Sequence, residues 1–148
     1  MTPAIILTNG LLTTSDAKTA HGLIRGTERF DIKAVIDPPT AGKDAGALLD
    51  GRNRNIPVCS SLEAALEQVG PVDTLIIGVA TVGGVLPVEM LEIIRSAIRQ
   101  GLSVVNGLHD YLSEKPELVA LAQQHRVTLT DIRKPKSRQD LHFWTGAI

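Results

Sequence analysis

Six short apolar runs, each almost unbroken and rich in β-branched residues, recur along this chain, separated by stretches with helical spacing. The runs are AIIL (4–7), IKAVI (32–36), IPV (56–58), DTLIIGV (73–79), LSVVN (102–106) and VTLTDI (127–132). A strand with one face in water alternates apolar and polar residues, whereas a continuous apolar run suits a strand covered on both faces. The segments between the runs supply that cover. In SSLEAALEQV, Leu62, Ala65, Leu66 and Val69 follow the i, i+3, i+4, i+7 pattern, and Ser60 with Glu63 reads as a capping box. LPVEMLEIIRSAIRQG carries Leu91, Ile94 and Ile98 on one stripe between Pro87 and Gly101. KPELVALAQQH starts at Pro116 with Leu118, Leu121 and Ala122 facing inward, and a weaker helix over 15–25 has Ala17, Ala20 and Ile24 on one side.

Strand–helix alternation of this kind requires crossover connections, and these are right-handed. The expected fold is α/β: a Rossmann-like, doubly wound, mostly parallel sheet of five to six strands with helices on both faces. Composition agrees, since 43% of residues are hydrophobic but only 3% aromatic, so the core rests on Val, Ile, Leu and Ala. With 148 residues there is room for one ordinary domain, expected over 1–133. Residues 134–148 read as a connecting segment, polar at first and then apolar at FWTGAI, with Phe143 and Trp144 suited to packing on this domain or on another.

A net charge of −1 gives no global field for nucleic acid or an anionic membrane. The single Cys59 excludes an internal disulfide and a Cys-based zinc site, and as a residue between a strand and a capped helix it reads as a small structural group. MTPAIILTNG lacks a basic n-region, and no run approaches the roughly 18 apolar residues of a membrane span. A cytoplasmic protein is expected. His21, His125 and His142 lack metal-ligand spacing, and no metal is expected.

In open parallel sheets, ligands bind beyond the carboxyl ends of the strands near the topological switch. Four loops fall there, TNGLLTT, DPPTAGKDAG, GVATVGGVLP and NGLHDYL, and each carries Gly and polar groups. The second contains Gly42-Lys43, which invites comparison with a P-loop. The comparison fails: Asp37 stands where the first Gly should be, Asp44 replaces the Ser or Thr, and Pro38-Pro39 removes two N–H donors.

The first loop has no G-x-G-x-x-G, but Gly10, the hydroxyls of Thr13, Thr14 and Ser15, and Lys18 can hold an anion at a helix N-terminus, or Thr14 or Ser15 can simply be a cap. Asp37 ends the second strand, where a dinucleotide-binding domain places its ribose-binding acid, although a turn role before Pro-Pro fits as well. Lys43 and Asp44 can pair on the surface. In the third loop Thr81, Gly83 and Gly84 offer a hydroxyl and backbone donors; in the fourth, Asn106, Gly107, His109 and Asp110 follow a strand, and His109 is the best-placed general base. RKPKSR (133–138) reads as a solvated linker.

Taken together, AGKDAG (41–46), LIIGVATVGGVLP (75–87), GLHDYL (107–112), DIRKP (131–135) and AKTAHGLIR (17–25) resemble the amino-terminal Rossmann-like domain of the DUF1611 proteins. The resemblance covers nearly the whole chain. It implies a carboxyl-terminal P-loop domain as partner, with a true Walker A sequence, beginning near where FWTGAI ends. It also implies an activity for some members: N-acetylation of D-glutamate, or more generally of D-amino acids, with acetyl-CoA. Acyl transfer needs a base for the ammonium and donors for the tetrahedral oxyanion. On this resemblance His109 or Asp110 is the base, the Gly83-Gly84 amides are donors and Lys43 holds a substrate carboxylate.

Three functions follow for the chain: the substrate- or cofactor-binding half of such an enzyme, taking acetyl-CoA or a nucleotide beside a small-molecule substrate; a non-catalytic domain that senses a nucleotide or mediates homo-oligomerisation; and, from Asp37 and fold analogy alone, an NAD-dependent oxidoreductase domain.

Overall fold

The computed structural model describes residues 1–135. Residues 136–148, which include Phe143, Trp144 and the second half of RKPKSR, lie outside the described residues. Six strands form one sheet: β1 (Thr2–Leu7), β2 (Phe30–Ile36), β3 (Val58–Cys59), β4 (Thr74–Ile77), β5 (Ser103–Asn106) and β6 (Leu129–Asp131). Their order is β3-β2-β1-β4-β5-β6 and every neighbouring pair is parallel. The chain winds outward from β1 in one direction and from β4 in the other, so the topological switch lies between β1 and β4.

Five α-helices connect the strands: α1 (Lys18–Arg25), α2 (Ala45–Asp50), α3 (Leu62–Val69), α4 (Val88–Arg99) and α5 (Pro116–His125). The apolar runs are the core, with Ala4 to Leu7, Ala34 to Ile36 and Leu75 to Ile77 almost fully buried. The helical stripes close over them through Ala20 and Ile24, Leu62 and Ala65, Ile94 and Ile98, and Leu118 and Ala122. Gly78 sets the approach of α1 to the switch. A Cβ there would lie 2.6 Å from Ile6 Cγ2 and 3.0 Å from Ala20 Cβ. Among the described residues no helix is long and apolar enough to cross a membrane.

Three local expectations change. The cap of α3 is Ser61, whose Oγ accepts the Ala64 N–H at 3.1 Å, so Ser60 and Glu63 do not form the capping box. The strand expected over 56–58 is displaced to Val58–Cys59, because the Ile56 N–H is taken by Asp44 rather than by β2. A helix not expected from the sequence, α2, follows AGKD.

The AGKDAG stretch is a structural device. The Gly42 N–H donates to Val58 O and the Val58 N–H to Lys43 O, both at 2.9 Å, so this segment covers the outer edge of β3. Exposed sheet edges invite pairing with other chains, and a covering segment removes that exposure. Asp44 does not pair with Lys43. Its carboxylate caps α2 through the Ala47 N–H and also accepts from the Arg54 and Ile56 N–H groups, at 2.8–2.9 Å. Burial pushes the Asp44 carboxyl up, but these donors outweigh it and hold the group below the ordinary carboxylate range. Gly46 is buried with no room for a side chain, since a Cβ would lie 2.4 Å from the Arg52 carbonyl oxygen.

Candidate functional site

Two knots of buried polar groups shape the carboxyl edge of the sheet. The first centres on Asp37, fully buried at the end of β2. Its Oδ1 accepts from Thr8 Oγ1 at 2.8 Å, Gly10 N at 2.7 Å and Leu12 N at 3.2 Å, and its Oδ2 accepts from the Thr40 hydroxyl. A ribose-binding acid must offer its oxygens to a ligand. Asp37 is fully buried and both oxygens are engaged within the fold, Oδ1 by the end of β1 and its loop and Oδ2 by Thr40 after β2. The expectation of a ribose contact is corrected accordingly, and Gly10 belongs to the same joint.

The second knot ties the ends of β5 and β6. Asn106 is fully buried; its Nδ2 donates to Asp131 Oδ1 at 2.9 Å and to the Asp110 carbonyl at 3.0 Å, and its Oδ1 accepts the Leu108 N–H. Asp131 also accepts the Leu112 and Ser113 N–H groups at 2.8 and 2.9 Å. Asp110 accepts the Leu86 N–H and the Lys115 ammonium, each at 2.8 Å. Burial raises the carboxyls of Asp110 and Asp131, and the donors more than compensate. For Asp110 these are Leu86 N–H and Lys115; for Asp131 they are chiefly Asn106, Ser113 and Leu112. Both groups lie below their ordinary values. Asn106 and Asp110 therefore hold the loop after β5 in place. A carboxylate so engaged and so acidic is a poor proton acceptor, which leaves His109 as the candidate base.

Between these knots, at the switch, lies a cleft of about 490 Å³. It brings together Lys18, Thr81, Gly84, Gly107 and His109 from the candidate set. Ser15, Asp16, Thr19 and Arg133 join them. Lys18 opens α1, close to that helix's N-terminus, and no ion pair engages Lys18 or Arg133 among the described residues. Arg133 is anchored by its Nε, which donates to Gly107 O at 2.6 Å. His109 is exposed, and its Cβ would be 4.0 Å from a Cβ on Gly84.

The third loop offers fewer free donors than its glycines imply. Gly84 N–H donates to Thr81 O at 2.9 Å and Thr81 Oγ1 donates to Val85 O at 2.5 Å, so both are committed within their own turn. Gly83 is exposed with φ of 66°, a conformation that favours glycine. Gly42, Lys43 and Asp44 line neither this cleft nor its neighbour. That neighbour, about 460 Å³, is lined by Asn9, Leu11, Val85, Pro87, Glu89 and Met90, and it meets the first cleft along Asp16, Ala80 and Thr81.

Asp16 and Arg133 were not singled out by the sequence. Asp16 immediately precedes α1 in a loop dominated by hydroxyls, and Arg133 sits in a basic run that reads as a linker. DIRKP carried the only sign that the latter belongs with the domain. Cys59 is buried, which pushes its thiol up and makes it an inert packing group. No group of three or more His, Cys, Asp or Glu side chains among the described residues is placed to hold a metal ion.

A family model described as a domain of unknown function, DUF1611_N, Rossmann-like domain, matches residues 38–135. The chain belongs to that family. A protein of known crystal structure, a duf1611 family protein from Anabaena variabilis, is 35% identical, with a TM-score of 0.81 over 93% of this chain and 39% of that one. A Pseudoalteromonas protein named D-glutamate N-acetyltransferase is 46% identical over 79 residues, which is 53% of this chain but 23% of the relative. The DUF1611_N chain thus spans a minor part of the relatives that it matches. Amine dehydrogenase from Mycobacterium smegmatis is 25% identical with a TM-score of 0.61, covering 88% of this chain and 38% of that one.

Proposed function

We propose that residues 1–133 are the substrate-binding domain of a two-domain D-amino-acid N-acetyltransferase, with 134–148 leading to a carboxyl-terminal P-loop domain. One observation carries this reading: Lys18 and Arg133, both free of ion pairs among the described residues, converge with His109 on a single cleft at the β1/β4 switch. Two cations on the wall of one concave site suit a ligand with carboxylates, and an arginine's planar fork suits them best. The relatives named D-glutamate N-acetyltransferase support an amino dicarboxylate as that ligand.

In acetyl transfer the amine loses a proton, its lone pair attacks the thioester carbonyl, and the tetrahedral oxyanion collapses with departure of the CoA thiolate. We assign the proton to His109, the imidazole on the cleft wall. With the Gly84 amide engaged by Thr81, oxyanion donors come from the Arg133 guanidinium or from the partner domain, which also contributes to holding acetyl-CoA or a nucleotide. The NAD reading loses its one residue-level support, because Asp37 is buried and saturated.

Calorimetric titration of the chain with D-glutamate, acetyl-CoA, ATP and NAD tests the reading. Binding of D-glutamate that disappears in the Lys18→Ala/Arg133→Ala double variant, with folding intact, is the expected result. Absence of any such binding to the wild-type chain sinks it.

A further inference from the structure

We infer that Asp16 is the ammonium-recognising group of the cleft, making it selective for a free amino acid over an acid that lacks the amine. The inference rests on the amino-dicarboxylate reading above and gives it a specificity determinant.

Asp16 lies in a short 3-10 turn (Ser15–Ala17) just before α1. Its backbone is pinned from two sides: its N–H donates to Thr14 Oγ1 at 3.2 Å, and its carbonyl accepts the Ala80 N–H at 2.7 Å. Ala80 belongs to the loop after β4, so this residue is held by both strands of the switch. Its side chain is exposed, enters no ion pair among the described residues, and lines both cavities where they meet.

The chemistry therefore changes in order along the groove. Lys18 and Arg133 line one chamber, Asp16 stands at the boundary, and Leu11, Val85, Pro87 and Met90 wall the other, with Asn9 and Glu89 beside them. An amino dicarboxylate matches this order, with carboxylates on the two cations and its ammonium on Asp16. The amine then faces a mainly apolar chamber, walled by Leu11, Val85, Pro87 and Met90, able to receive a small neutral acyl group. A dicarboxylate without the amine leaves the Asp16 carboxylate beside the ligand's own anions with nothing to neutralise it, and such an uncompensated like charge is how a site rejects a near-isostere.

The 148-residue chain and its Asp16→Asn variant should be titrated with D-glutamate, glutarate and N-acetyl-D-glutamate, with Tm measured in parallel. The expected result is wild-type binding of D-glutamate at least about tenfold tighter than of the other two, as for one unpaired polar group. In Asp16→Asn the preference collapses because D-glutamate weakens while glutarate does not, and Tm is unchanged. Equal wild-type affinity for D-glutamate and glutarate overturns the role of Asp16 and leaves the cationic cleft standing. Parallel weakening of all three ligands in the variant also overturns it, marking a structural role. Binding of none of the three to the wild-type chain overturns the cleft reading and this inference together.

Discussion

The side-chain amide of Asn106 donates to Oδ1 of Asp131 at 2.9 Å, joining the ends of β5 and β6 beneath the loop that carries His109. Asp131 is held below its ordinary pKa, as are Asp44 and Asp110. A carboxylate with a depressed folded-state pKa contributes stability that is fully present above its unfolded value, about 4, and lost as pH falls through the folded one. Thermal unfolding followed from pH 7 to pH 2 should show a plateau above about pH 5 and a steep decline below about pH 4. In Asp131→Asn the decline should be shallower, and Tm at pH 7 lower by an amount corresponding to about 2 kcal/mol.

Replacement of Asp37 by Ala removes the acceptor for three donors around the first loop, Thr8 Oγ1 and the Gly10 and Leu12 N–H groups. Thr8 Oγ1 keeps the Ile36 carbonyl as acceptor, so two N–H donors are orphaned at about 1–3 kcal/mol each, and a loss of at least about 2 kcal/mol is expected in urea unfolding. Asp37→Asn keeps one carbonyl acceptor and should be milder. The wild-type chain should give no heat of binding with NAD; a clear isotherm that Asp37→Asn abolishes would refute the structural assignment of this residue.

Gly46→Ala places a methyl group 2.4 Å from the Arg52 carbonyl oxygen, where backbone must move. A loss of about 3 kcal/mol is expected, in line with overpacked buried sites. Gly51→Ala is the control: its φ is 78° but the space around it is open, so only the left-handed backbone cost of about 1–2 kcal/mol applies. Denaturant midpoints of the two variants, measured side by side, should keep that order.

Lys18→Ala and Arg133→Ala should each weaken binding of an anionic ligand about tenfold, as for a charge-assisted hydrogen bond. Lys18 is exposed, so its variant should leave Tm unchanged. Arg133→Lys, which loses the planar fork and the Nε anchor to Gly107, should recover only part of the affinity. Wild-type affinity should fall as salt rises from about 0.05 to about 0.5 M, a trend readable in the same titrations.

The sheet was legible because strands buried on both faces must be apolar throughout, and AIIL, DTLIIGV and LSVVN meet that condition without ambiguity. The edges were harder. IPV reads as a strand, but Ile56 turns to Asp44, and only a tertiary contact decides that. Helix α2 is six residues long and contains Gly46, too short and too weak in propensity to announce itself; its signals were the Asp44 cap and Gly51 at the end. The parallel topology carried the loops to one edge, and so brought Lys18, Thr81 and His109 together. It could not say which polar groups remained available. Asp37, Asp44, Asn106 and Asp110 have the side chains of ligand-binding residues, but hydrogen bonds within the fold engage them all. Arg133 had the opposite fate, since a residue in a basic run turned back onto Gly107 and faced the cleft.

The bonds around Asp37 are made within the fold itself, and they fix Thr8, Gly10 and Leu12, which flank Asn9 and Leu11 on the wall of the second chamber. Ordering a flexible loop costs about 1–2 kcal/mol per residue in conformational entropy. Here that cost is met during folding rather than during association. A molecule entering the groove therefore meets a rigid wall on that side, and the entropy lost on binding is chiefly its own.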